Sequence, residues 1–216
     1  MAEIVLVHGI DQQQKSADML ESQWLPCLAG GVRTAGFAKI SWFAPFGMGF
    51  AERFVNRSLA QVTRYLTNDE IRSAALGSVF KLIGPETKVL IGHSLGSVVA
   101  YEAANLIEQP LPLLLTMGSP LGLPTIVYQR LRPQPPGFPP NVRRWVNVAD
   151  RDDFIATEPD LKGLFGAGVP AGAVFEAGYT VDNGANPHNC DFYLGKAQVG
   201  GPVGEIFRST IAASST

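Results

Sequence analysis

The stretch Lys88-Val89-Leu90-Ile91-Gly92-His93-Ser94-Leu95-Gly96-Ser97-Val98-Val99-Ala100 decides how this chain folds. It reads as an apolar strand, a G-x-S-x-G turn and an apolar helix. The spacing has a steric cause. A residue at so tight a strand-to-helix turn takes a strained backbone conformation, which lifts its side chain clear of the neighbouring chain. The positions two residues to either side must be small, and here they are Gly92 and Gly96. The following helix points its N-terminus at Ser94, which favours negative charge developing there. The N–H of Leu95 is a candidate donor to that charge. The pentapeptide alone arises often by chance, and the flanking strand and helix give it meaning.

Outward from this turn, short β-rich runs alternate with helical segments. Candidate strands are 3–7, 39–43, 88–92, 113–117, 144–148 and 174–179. Several are continuously apolar, such as Ile4-Val5-Leu6-Val7, as expected for parallel strands buried on both faces. The alternation predicts an α/β fold with three α/β/α layers and a mostly parallel six-stranded sheet, in one domain spanning 1–216. Residues 46–86 exceed one crossover. Phe50, Phe54, Ser58, Val62 and Leu66 recur at helical spacing, and so do Ile71, Ala75, Val79, Leu82 and Ile83. Two helices follow, with Thr67-Asn68-Asp69 as a capping sequence between them. They cover the sheet, or one overhangs it as a lid. The Pro-rich 132–140 reads as a stiff surface connection rather than a peptide ligand. Residues 163–172 read as a Gly-rich loop and 210–216 as a frayed tail.

Composition excludes several classes. The chain has 216 residues, 46% apolar and 17% charged, so it is not a disordered one. A net charge of −2 gives no basic field for nucleic acid or an anionic membrane. Two cysteines, Cys27 and Cys190, make no disulfide scaffold. There is no run of about 18 apolar residues for a transmembrane helix. Met1-Ala2-Glu3 runs straight into apolar sequence without a signal-peptide pattern, so the expected location is cytoplasmic. No metal spacing, G-x-G-x-x-G or Walker loop occurs, so neither metal nor cofactor is implied. Oligomeric state is not legible.

With its elbow between strand and helix, the chain resembles the α/β-hydrolase superfamily in a minimal, lipase- or esterase-like form. The resemblance runs from Val7-His8-Gly9 to His188. It implies a parallel sheet covered on both faces and lacking the family's first two strands. In the family, H-G after the first of the remaining strands opens a loop whose next N–H completes an oxyanion hole. Carried over, that donor is Ile10, with Leu95 as its partner. Asp11, Gln12 and Gln13 follow, as a wall of the site or simply a polar loop. His8 ends a buried strand and reads as structural.

A serine hydroxyl needs an adjacent base. Of three histidines, His8 reads as structural, and His93 sits beside Ser94 where its side chain cannot swing round to the hydroxyl. His188 remains, in a turn-rich loop after the last strand, where family members commonly place their base. The acid comes from Asp150-Arg151-Asp152-Asp153, since the order Ser, Asp, His suits this fold. Lipase-like relatives carry an aspartate followed by an apolar pair, which favours Asp153 over Asp150 and Asp152.

The resemblance thus implies a serine hydrolase with Ser94, His188 and Asp153, acting on a small-molecule carboxylic ester or thioester through an acyl-enzyme. The alternatives are an acyltransferase or cyclase with the same triad, and a non-catalytic binding module on the same fold. Ser119 of Gly118-Ser119-Pro120 reads as loop geometry or a support for the acid loop, since Pro120 forbids an elbow helix. Leu121 and Leu123 are candidate acyl-pocket residues. Phe46, with Trp42, Phe43, Met48 and Phe50, forms an apolar cluster that is either core or a substrate wall.

Overall fold

Apolar strands lie between two layers of helices, and hydrophobic burial on both faces explains their composition. A computed structural model describes residues 2–9, 16–37, 46–49 and 58–213. In chain order the elements are β1 (Ile4–Val7), α1 (Ala17–Thr34), β2 (Phe46–Gly49), α2 (Ser58–Thr67), α3 (Asp69–Phe80), β3 (Val89–His93), α4 (Leu95–Leu106), β4 (Leu111–Met117), β5 (Val142–Asp150), α5 (Lys162–Phe165), β6 (Val174–Val181), α6 (Cys190–Leu194) and α7 (Ala197–Ala213).

Strands β1, β3, β4, β5 and β6 lie side by side in that order, every pair parallel, and β2 pairs parallel with β1 at the edge. Side chains alternate between the faces, as the pleat requires. Val5, Val7, Leu90, Leu114 and Trp145 meet α2, α3, α4 and α5 in one apolar cluster. Ile4, Leu6, Ile91, Leu115 and Val148 meet α1, α6 and α7 in the other. Because the strands are parallel, the loops after β1, β3, β4, β5 and β6 all leave from one edge, where open α/β sheets build their sites.

Local signals explain most element boundaries. Asn68 caps α3 by accepting the Ile71 N–H at 3.0 Å. Ser16 caps α1 by accepting the Met19 N–H at 3.2 Å. Val62, Leu66, Ala75 and Val79 are buried against the α4 layer, so the described parts of α2 and α3 cover the sheet.

Some expectations need correcting. The strand expected at 39–43 lies outside the described residues, and on the side away from β3 the described neighbour of β1 is β2, at 46–49. The Gly-rich 163–172 stretch overlaps a short helix, α5. Phe165 is wholly buried there, packing edge-on against Trp145 at a centroid distance of 5.3 Å and Tyr101 at 5.2 Å. One aromatic anchor thus overrides glycine's weak helix propensity. The expected tail at 210–216 is helical as far as Ala213. Among the described residues, no helix is long and apolar enough to cross a membrane.

Candidate active site

Ser94 stands between β3 and α4 at φ 56° and ψ −129°. Among the described residues it is the one non-glycine with positive φ. Such a conformation costs on the order of 1–3 kcal/mol and persists only where its surroundings impose it. They do so here. A Cβ on Gly96 would lie 2.1 Å from the Val7 carbonyl oxygen, and one on Gly92 would lie 2.5 Å from Ser97 Cα. A Cβ on Gly9 would stand 2.5 Å from Ser94 Cβ. The first strand's exit, the elbow and α4 therefore interlock only through glycines.

Hydroxyls hold the turn as well. The Ser97 N–H donates to the Ser94 carbonyl at 3.0 Å, and the Ser97 hydroxyl donates to the same oxygen. Ser97 has one hydroxyl proton, so the 2.7 Å bond between the Ser97 and Ser119 hydroxyls is donated by Ser119. Ser119 in turn accepts the Leu121 N–H at 3.2 Å. Through Ser119 the Gly118-Ser119-Pro120 turn thus braces the elbow, while Gly118 also abuts the acid loop, where a Cβ would lie 3.0 Å from Asp153 Oδ2.

The loops after β5 and β6 bring an acid and a base to Ser94. The Ser94 hydroxyl donates to His188 Nε2 at 3.0 Å. His188 Nδ1 lies 2.9 Å from Asp153 Oδ1 and 2.8 Å from Oδ2. The Asp153 side chain is wholly buried, Ser94 is 1% exposed, and the His188 side chain keeps 23% of its surface. The base alone faces solvent appreciably.

The three aspartates separate by their partners. Asp150 accepts the N–H groups of Asn183 and Asp152, which ties the end of β5 to the loop carrying His188. Asp152 is exposed. Asp153 meets His188 and also accepts the Ile155 N–H at 3.0 Å. Burial pushes the Asp153 carboxyl up, but hydrogen bonds from His188, Ile155 and Tyr193 outweigh it and hold the carboxyl below its ordinary range. A fixed carboxylate on Nδ1 leaves Nε2 free to accept the serine proton.

No protein-family model, curated protein or solved structure matches this chain. What the site can do follows from its geometry.

The remaining expected residues fall as follows. Leu95 is the first residue of α4, where the helix itself supplies no acceptor for its N–H. Ile10 and Asp11 lie outside the described residues, although Gly9, the residue before them, abuts Ser94. Phe46 begins β2. Leu121 is wholly buried in the cluster with α4, so it packs the core there. His8 is buried, and its Nδ1 donates to the Gly9 carbonyl at 2.8 Å. Burial pushes its pKa down, which keeps it neutral for that bond. Among the described residues, no group of His, Cys, Asp and Glu is placed to hold a metal ion.

Two contributors are not legible in the sequence alone. Buried His93 donates from Nε2 to the His188 carbonyl at 3.1 Å, and burial with the nearby His188 lowers its pKa to about 3. Tyr193 donates to Asp153 Oδ2 at 2.8 Å. His93 adjoins the elbow serine, and Tyr193 lies five residues after His188, but neither spacing names a partner without the fold.

Proposed function

We propose that this chain is a serine hydrolase of α/β-hydrolase type that cleaves a carboxylic ester or thioester through an acyl-enzyme. One observation carries the proposal. A strained, nearly buried serine donates to an imidazole whose other nitrogen is held by a buried carboxylate. Ion-pair networks built for stability have no need of a strained hydroxyl, whereas an activated nucleophile does.

In this mechanism His188 takes the Ser94 proton through Nε2 as Ser94 Oγ attacks the acyl carbon. Asp153 stays ionised, keeps the Nδ1 proton in place and stabilises the imidazolium. The oxyanion is assigned to the Leu95 N–H at the start of α4, with the N–H of Ile10, outside the described residues, as the expected second donor. His188 returns its proton to the leaving alcohol or thiol, whose bond to the acyl carbon breaks. Water then attacks the acyl-enzyme as His188 removes its proton. The acid product leaves, and Ser94 regains its hydroxyl proton from His188.

Hydrolysis of p-nitrophenyl esters and acyl thioesters tests this. Turnover by the wild type, with loss of about 10⁶-fold in Ser94→Ala and His188→Ala, is the expected result. Turnover that survives Ser94→Ala would overturn the proposal.

A further inference from the structure

Tyr193 occupies the junction between the acid loop and the loop carrying His188. It sits in α6, whose start is fixed by Asn189: that side chain accepts the Asp191 N–H at 2.8 Å, and its carbonyl accepts the Tyr193 N–H at 3.2 Å. The Tyr193 side chain is wholly buried. Its hydroxyl oxygen accepts the Asp150 N–H at 2.7 Å. Its one proton is then directed at Asp153 Oδ2, 2.8 Å away. We propose that Tyr193 is a positioning residue for the serine-hydrolase reaction: its hydroxyl fixes the Asp153 carboxylate against His188 and sets how strongly that carboxylate draws on the imidazolium. This inference rests on the function proposed above and adds a fourth member to its proton-handling machinery.

The bonding pattern supports the role. Asp153 Oδ1 is held by the Ile155 N–H, and Oδ2 by Tyr193. With both oxygens pinned, the carboxylate cannot rotate away from Nδ1. Burial, together with Asp153 and Asp150, pushes the Tyr193 phenol well above its ordinary value, so the donor keeps its proton wherever the enzyme works.

Three other titratable neighbours are neutral or engaged. His93, from the elbow, packs its ring 4.8 Å from that of His188 and 5.8 Å from that of Tyr193, and with a pKa near 3 it stays neutral. Asp150 has its carboxylate engaged by Asn183 and Asp152. His8, at the exit of β1, is buried and kept neutral.

A carboxylate that accepts an extra hydrogen bond is less basic and holds imidazolium less strongly. Removing the phenol hydroxyl therefore moves the acid limb of the Ser94 reaction to higher pH. A purely structural tyrosine would leave that limb where it is.

The test is the second-order rate of Ser94 phosphonylation by a fluorophosphonate across about pH 5–9, which spans the ordinary imidazole range. Three proteins are compared: wild type, Tyr193→Phe, and a protein carrying 3-fluorotyrosine at position 193. In Tyr193→Phe the midpoint of the acid limb moves up by about half a pH unit or more. Fluorination makes the phenol a stronger donor at almost unchanged size, so the limb moves down. Opposite shifts in the two variants support the proposal. If Tyr193→Phe does not fold, the fluorinated protein carries the test by itself. A limb that stays in place while wild-type Ser94 labels normally would overturn this inference alone. Absence of any adduct on folded wild type would overturn the serine-hydrolase reading and this inference with it.

Discussion

Helix α4 has a polar cluster at each end, and the two ends treat buried charge in opposite ways. At its start stands Ser94. Two turns later, about 12 Å along the axis, Glu102 is buried with Arg72. Tyr65 donates to Glu102 Oε2 at 2.7 Å, the Arg132 N–H donates to Oε1 at 2.9 Å, and Arg72 Nε lies 3.1 Å from Oε2. Arg72 also donates to the Arg130 carbonyl at 2.8 Å. Burial pushes the Glu102 carboxyl above its ordinary value against the pull of Tyr65 and Arg72. This network joins α2, α3, α4 and the start of the Pro-rich segment. It contains no strained backbone and no solvent-facing base. At Ser94 the backbone is strained, and His188 keeps part of its surface. Buried charge is thus common to both ends, while backbone strain and a partly exposed imidazole belong to one. That second pair of properties is what the proposed reaction needs and a structural clamp does not.

Substitutions at the two ends should therefore split activity from stability. The largest effect is expected for Ser94→Ala, which loses about 10⁶-fold in turnover. Its unfolding free energy stays at or slightly above that of wild type, read by urea denaturation. Arg72→Met should do the reverse. It leaves Glu102 buried without its ion partner and costs about 3–5 kcal/mol of stability. Activity per folded molecule is unchanged. If Arg72→Met abolished turnover while the protein stayed folded, the contrast between the two ends would fail.

A pH test sharpens the same contrast. His93 has an ordinary pKa of 6.5 and a folded value of about 3. Between those limits the unfolded chain binds more protons than the folded one. The stability linked to His93 is therefore complete above about pH 6.5 and is lost as pH falls toward 3. Urea midpoints at about pH 7 and about pH 5 should differ more for wild type than for His93→Gln, since that window lies within the histidine's titration range. Equal losses in the two proteins would show that His93 does not titrate as described. The smallest effect is expected for Ser119→Ala. It removes one link of the hydroxyl chain bracing the elbow and costs about 1 kcal/mol, with a modest fall in the rate of Ser94 labelling.

The elbow was legible because its constraint is local. Glycines at 92 and 96 are demanded by contacts within a few residues of the turn and by the strand beside it. His188 could be reached by elimination among three histidines. The choice among Asp150, Asp152 and Asp153 was weaker, because it depends on which carboxylate the backbone of another loop engages. Asn183 and Asp152 N–H groups take Asp150, and no pattern around position 150 announces that. The roles of Tyr193 and the upstream side of the Ser119 chain are not readable from sequence for the same reason. Their partners lie 40 and 22 residues away in sequence, at Asp153 and Ser97. In the fold, the continuous apolar runs gave the parallel strands, while α5 escaped notice because four residues in a Gly-rich stretch carry no periodicity. Its cause is the burial of Phe165 against Trp145.

The most direct measurement is intact mass after exposure to a fluorophosphonate, for wild type, Ser94→Ala and His188→Ala. The account predicts one adduct on wild type, none on Ser94→Ala and a much slower reaction in His188→Ala. An adduct that persists in Ser94→Ala, or folded wild type that takes none, would contradict it.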